Sequence, residues 1–120
     1  MVVAGGSERW ESVRNGVRAA PADIDWVLVH DAARPFVSAA VIDAVVTQAE
    51  NYRAVVTATE VADTIREYDG SRAGKTVDRS GLVRVGTPQL FHRPTLNRAF
   101  ESASTMDAPP TDEAVLMERI

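Results

Sequence analysis

Trp26-Val27-Leu28-Val29-His30-Asp31-Ala32-Ala33-Arg34-Pro35 is the stretch on which the fold turns. Its first half is an unbroken apolar run, β-branched and aromatic, with no polar alternation. Such runs are strands buried on both faces, the habit of parallel sheets in α/β domains. Its second half is a loop that sets a carboxylate and, three residues on, a guanidinium at the strand's carboxyl end. Working upstream, Val2-Val3-Ala4 is expected as the tail of another strand, meeting a turn at Gly5-Gly6. Ser7 is the expected N-cap of a helix whose stripe is Trp10, Val13, Val17 and Ala20, ended by Pro21. Downstream, Ser38 precedes Val41, Ile42, Val45, Val46 and Ala49, a helix of about three turns. A second buried-type strand follows at Ala54-Val55-Val56-Thr57-Ala58.

This β-α-β-α-β order predicts a three-layer α/β domain with right-handed crossovers. In such sheets ligands bind outside the carboxyl ends of the strands, where Gly5-Gly6, Asp31 and Thr59 would gather. Residues 59–86 are shorter in period and more polar. Tyr68-Asp69-Gly70-Ser71 is the expected hairpin turn and Lys75 to Asp78 the return strand, an arm projecting from the sheet. Val83 to Phe91 brings the chain back. Pro94 opens a helix with Leu96, Ala99, Phe100 and Ala103 on one side. Thr111 is the expected N-cap of a last helix, with Val115, Leu116 and Ile120 as its apolar face, and Met106 and Met117 read as core filler.

The 120 residues are 45% hydrophobic and 25% charged, ordinary for one globular domain. A net charge of −4 disfavours a sequence-independent nucleic-acid binder, so no nucleic-acid partner is expected. The lack of cysteine excludes a disulfide scaffold, thiolate zinc and a Cys nucleophile, and suits a reducing cytosol. No apolar run reaches the ~18 residues of a membrane span, and the N-terminus lacks the pattern of a secretory signal.

Taken residue by residue, several groups are chemically competent, each beside a plainer reading. Gly5-Gly6-Ser7 at a helix start can offer backbone N–H groups to a polar ligand, or can serve a turn that needs positive φ. Asp31 can accept a hydroxyl or hold hydrated Mg²⁺, and Arg34 can grip a phosphate; the two can equally close the loop as an ion pair. His30 is expected as a packed, satisfied ring, since no metal-ligand spacing joins it to His92. Asp63-Thr64, Lys75 to Arg79 and Thr87 read on spacing alone as solvated faces of a hairpin. Thr111-Asp112-Glu113 reads as a helix cap rather than a catalytic pair.

In order, these fragments resemble one family, the 2-C-methyl-D-erythritol 4-phosphate cytidylyltransferases. The matching blocks are Gly5-Gly6-Ser7-Glu8-Arg9 with Ser12-Val13, Val27 to Pro35, Asp63-Thr64-Ile65, Thr76 to Leu82, Thr87-Pro88-Gln89-Leu90-Phe91, and Thr111-Asp112-Glu113-Ala114. The resemblance implies a Rossmann-like nucleotidyltransferase fold and a cytoplasmic homodimer joined through the arm of residues 59–86. It also implies cytidylyl transfer from CTP, with Mg²⁺, to methylerythritol phosphate in the non-mevalonate route to isoprenoid precursors. A phosphate monoester is already an anionic nucleophile, so such chemistry needs positioning and charge neutralisation rather than a Ser–His base.

Carried over by position, Gly5, Gly6, Ser7 and Ser12 resemble the cytidine contacts, although Ser7 stands where an acidic residue is common. Asp31, Ala32, Arg34 and Thr87 are similar to groups around the methylerythritol, with Asp31 facing the metal. Thr64 and Arg79 resemble arm residues that reach a neighbouring subunit's site and hold the substrate phosphate. The family's opening glycine-rich loop, Pro-Ala-Ala-Gly-x-Gly-x-Arg followed by Lys, and its closing Lys-bearing strand have no match within these 120 residues. The expectation is therefore a central portion of such an enzyme, without the triphosphate clamp and inactive alone. Ribitol phosphate cytidylyltransferases share several blocks; the small residue at Ala32 favours methylerythritol. A non-catalytic module that pairs through its arm is the remaining reading.

Overall fold

The computed structural model describes residues 1–103, 110 and 112–118. Helix α1 spans Arg9–Ala19, β1 Trp26–Val29, α2 Ala39–Thr47, β2 Ala54–Glu60, β3 Ile65–Tyr68, β4 Ala73–Val77, β5 Val83–His92, α3 Arg93–Ala103 and α4 Glu113–Met117, with a 3₁₀ turn at Gln48–Glu50 after α2. Contrary to expectation, residues 2–4 are not a strand. The Ala4 carbonyl accepts from the Asn15 side chain at 3.2 Å, and Met1 and Val2 are almost fully exposed.

The sheet differs from the expected parallel one. Its order is β1-β5-β2, and β5 runs antiparallel to both neighbours. β1 and β2 thus point the same way but are separated by β5, the longest strand, which carries the buried run Pro88-Gln89-Leu90-Phe91. The two apolar runs are instead the edge strands: no residue of β1 or β2 is fully buried and Leu28 is 39% exposed, so burial on both faces falls to the central β5. Val27 and Ala54 flank Phe91 in register. On that face Trp10 and Val17 of α1, Leu96, Ala99, Phe100 and Ala103 of α3, and Leu116 of α4 close the core. Leu90, on the opposite face by alternation, and Val45 of α2 are buried outside that cluster, so helices flank the sheet.

Each helix start follows a local rule, with small corrections. The cap of α1 falls one residue after the expected Ser7: Glu8 is the N-cap, and its N–H donates to Glu11. Ser38 caps α2 by accepting from Val41 N–H. Asp112 caps α4 by accepting from Val115 N–H at 3.1 Å. The expected cap Thr111, with Met106 and Ile120, lies outside the described residues. Strands β3 and β4 form a separate two-stranded sheet. Asp69 closes its turn by accepting from the N–H groups of Ser71 and Arg72, and Gly70 takes the positive φ of 95° that the turn requires.

Candidate functional site

The site is built where β1 ends. Beyond Val29, paired with Gln89, the next positions on β5 would be Pro88 and Thr87. Proline has no N–H to give, and the β2 register jumps there, from Val56 opposite Gln89 to Thr57 opposite Gly86. Thr87 and Pro88 bulge out of the ladder. The N–H of Asp31 is then met by a side chain, donating to the Thr87 hydroxyl at 3.0 Å. The loop closes on itself through the Arg34 N–H, which donates to the Asp31 carbonyl at 2.9 Å. His30 is half-buried, and its Nε2–H donates to the Arg34 carbonyl at 2.9 Å.

Asp31 faces two guanidiniums. Arg9 Nη2 reaches Oδ1 at 3.3 Å and Arg34 Nε reaches Oδ2 at 3.4 Å. The loop-closing Asp31–Arg34 pair is therefore present, and a third residue joins it. Arg9 turns its other nitrogen to Glu113, Nη1 to Oε2 at 2.6 Å. Burial pushes the Asp31 carboxyl up, but hydrogen bonds and charge from Arg9 and Arg34 outweigh it and hold the group below its ordinary range. Burial likewise lowers the Arg9 guanidinium, and its two carboxylates more than compensate, so it stays firmly charged.

Gly5, Gly6, Ser7 and Ser12 form a second cluster over the first turn of α1. Gly6 N–H donates to Ser12 Oγ at 3.0 Å, and Ser12 Oγ–H donates to the Glu8 carbonyl at 3.3 Å. Ser7 donates through both its N–H and its hydroxyl to Glu11, at 2.9 and 2.6 Å, which draws the Glu11 carboxyl below its usual range. The glycines are needed for space rather than for positive φ, which among glycines of the described residues belongs to Gly70. A Cβ on Gly6 would lie 2.3 Å from Glu11 Cβ, and one on Gly5 2.9 Å from Ser12 Oγ.

The structure thus brings Asp31, Arg34 and Thr87 together, with Ala32 exposed at the tip of their loop. An open groove of about 960 Å³ runs from this loop, past His30, Arg34 and Thr87, between α2 and the β2–β5 pair. Thr64 and Arg79 belong instead to the arm. Both are exposed, and neither side chain has a hydrogen bond or ion pair among the described residues. Arg9 and Glu113 are functional candidates that sequence reasoning misses. They stand in the quoted motifs only as bystanders, because residues 104 positions apart announce no pairing locally.

The Asp31 donor set does not fit a metal ion. Each oxygen already faces a guanidinium, and the described residues contain no group of three His, Asp or Glu side chains placed to hold a cation.

The whole chain, residues 1–120, matches the family model described as IspD, 2-C-methyl-D-erythritol 4-phosphate cytidylyltransferase. The chain belongs to this cytidylyltransferase family. A family member named for the same activity from Salinibacter ruber is 45% identical over 119 residues, 99% of this chain and 50% of that protein. One from Bacillus cereus is 43% identical over 118 residues, 98% of this chain and 52% of that protein. The crystal structure of the cytidylyltransferase from Thermus thermophilus superposes with a TM-score of 0.87 at 34% identity, covering 98% of this chain and 57% of that one. The chain spans about half the length of these curated relatives. Its fold is the family's α/β nucleotidyltransferase fold over that span. No helix among its described residues is long and apolar enough to cross a membrane.

Proposed function

We propose that this chain supplies the alcohol-phosphate side of a cytidylyltransferase that joins CTP to 2-C-methyl-D-erythritol 4-phosphate. The observation that carries the reading is the Asp31 carboxylate, held between Arg9 and Arg34 beside Thr87 at a strand's carboxyl end, in a chain of this family. A polyol hydroxyl would donate to Asp31, and the N–H groups of Arg34 not used on Asp31 would face the phosphate. A substrate phosphate oxygen then forms a bond to the α-phosphorus of CTP, and the α–β bridging bond breaks to release pyrophosphate. Gly5, Gly6, Ser7 and Ser12 form the cytidine side: Ser12 keeps one lone pair free, and the missing Cβ atoms let Glu11 and Ser12 pack against the loop that would face the base. Mg²⁺ belongs with the triphosphate, which binds it through its own oxygens, and no role for Asp31 as its ligand is proposed.

Thr64 and Arg79 have no side-chain partner among the described residues, and the reading assigns them to a neighbouring subunit's site in a cytoplasmic homodimer joined through the arm. In a chimera with the Salinibacter ruber relative, mixing Arg79→Ala subunits with Asp31→Asn subunits should restore activity that neither has alone. No restoration would argue against a shared site.

The main test is a chimera in which these 120 residues replace the matching half of the Salinibacter ruber relative. Pyrophosphate release that needs both CTP and methylerythritol phosphate, and little with ribitol 5-phosphate, is expected. Asp31→Asn should lower the rate at least roughly 10²-fold, the scale of losing one preorganised charged group. A chimera that binds neither substrate and only dimerises would replace this reading with that of an interaction module. The 120 residues alone should release pyrophosphate no faster than a protein-free control, because the glycine-rich loop and lysines that the family resemblance assigns to the triphosphate have no match within them.

A further inference from the structure

Glu113 is the least accessible charged group described, with no exposed side-chain surface, so it cannot touch a substrate. A buried carboxylate requires a cation, and Arg9 meets it at 2.6 Å, a charge-assisted distance. The guanidinium is a rigid planar fork. Once Nη1 is fixed by Glu113, the direction of Nη2 is set as well, and Nη2 lies on Asp31 Oδ1. Asp31, in contrast, keeps 37% of its side-chain surface open.

Arg9 meets one Glu113 oxygen while Oε1 stays buried with no partner among the described residues, and it is the segment around Glu113 that is anchored. The neighbouring Asp112 caps α4 and receives the Gln89 Nε2–H from β5 at 3.2 Å, and Leu116 is fully buried. A continuous line of contacts therefore runs from β5 through Gln89, Asp112 and Glu113 to Arg9 and Asp31. Arg9 also stands one residue beyond Glu8, where the Gly5–Ser7 loop enters α1, so it links the two clusters.

We propose that Glu113 and Arg9 are a positioning pair: Glu113 holds the Arg9 guanidinium, and Arg9 orients the Asp31 carboxylate toward the alcohol phosphate. The proposal rests on the substrate reading given above. Arg9 is committed to two carboxylates and is not itself a phosphate ligand. The plainer view is that the pair only ties α4 to α1.

The test uses the 120-residue chain with Arg9→Lys, Glu113→Gln and the double variant. Lysine keeps a positive charge beside the buried carboxylate but lacks the rigid two-nitrogen fork that fixes both directions, and glutamine keeps the volume of glutamate. Calorimetric titration with 2-C-methyl-D-erythritol 4-phosphate should show affinity reduced about tenfold by either change, the scale of one charge-assisted hydrogen bond. The double variant should be no weaker than the weaker single one, because both act through one line of contacts. Without ligand, NMR couplings should report one Asp31 χ1 rotamer in the parent chain and averaged rotamers in both single variants. A Glu113→Gln chain with a lower melting temperature but unchanged affinity and rotamer would overturn the proposal, as would penalties that multiply in the double variant. If the parent chain takes up no methylerythritol phosphate, the substrate reading fails, and the rotamer comparison alone decides the positioning role.

Discussion

The rim at the end of β1 and the β3–β4 arm use similar residues in opposite ways. At the rim, Asp31 is bound by guanidiniums from α1 and from its own loop, and Glu113 by an arginine far away in sequence. On the arm, carboxylates serve their own turns. Asp69 accepts from Arg72 and Ser71, and Asp78 from the N–H and hydroxyl of Ser80, which holds both carboxyls below their ordinary range. The arginine and threonine of the arm that match the family's motif reach no polar partner among the described residues. Rim geometry is therefore built by this chain's own tertiary fold. The arm is built by local turns and presents its functional candidates outward.

That contrast can be broken or sharpened by substitution. Glu113→Ala should have the largest effect on stability, about 2–3 kcal/mol, since it removes a buried charge-assisted hydrogen bond and leaves a cavity; urea unfolding followed by circular dichroism would measure it. A loss below about 0.5 kcal/mol, the usual ceiling for a surface change, would put the rim on the same footing as the arm. Thr87→Val should cost about 1–1.5 kcal/mol, because it keeps the shape but leaves the Asp31 N–H without its acceptor.

Acid should act through Asp31 more weakly, by less than about 1 kcal/mol, because the pair is partly exposed. The folded carboxyl lies below its unfolded value, so it contributes stability above about pH 4, the ordinary aspartate range. That contribution is lost as pH falls through the folded value. Thermal unfolding of the parent chain should thus lose more stability between neutral and strongly acid pH than Asp31→Asn does. The smallest effects belong to Thr64→Ala and Arg79→Ala, each within about 0.5 kcal/mol by the same urea assay. A larger loss would show that the arm is tied into the fold as the rim is.

Much of this is legible along the chain. The stripe Leu96, Ala99, Phe100 and Ala103 is wholly buried as its spacing requires, and Ser38 caps the helix it precedes. The turn at Asp69-Gly70 has the chemistry its residues announce. The stripe of α2 is broader in sequence than in burial: Val45 is buried, but Val41 and Val46 are 39% and 48% exposed. Periodicity says which face is apolar and not whether anything covers it. Asp31 stands out because it follows an unbroken apolar strand run, whereas Arg9 reads as one more charge on an amphipathic helix.

By itself, then, the sequence determined the helices, their caps to within a residue, the hairpin turn and the place of Asp31 at a strand's end. Each depends on residues within a few positions of one another, where backbone hydrogen bonding and side-chain spacing act directly. Only the tertiary structure decided that β5 lies antiparallel between β1 and β2, that Thr87 takes over the Asp31 N–H, and that Glu113 governs Arg9. Those are matters of strand order and burial. They arise when segments distant in the chain exclude water together and each buried polar group must find its partner in whatever segment has packed beside it.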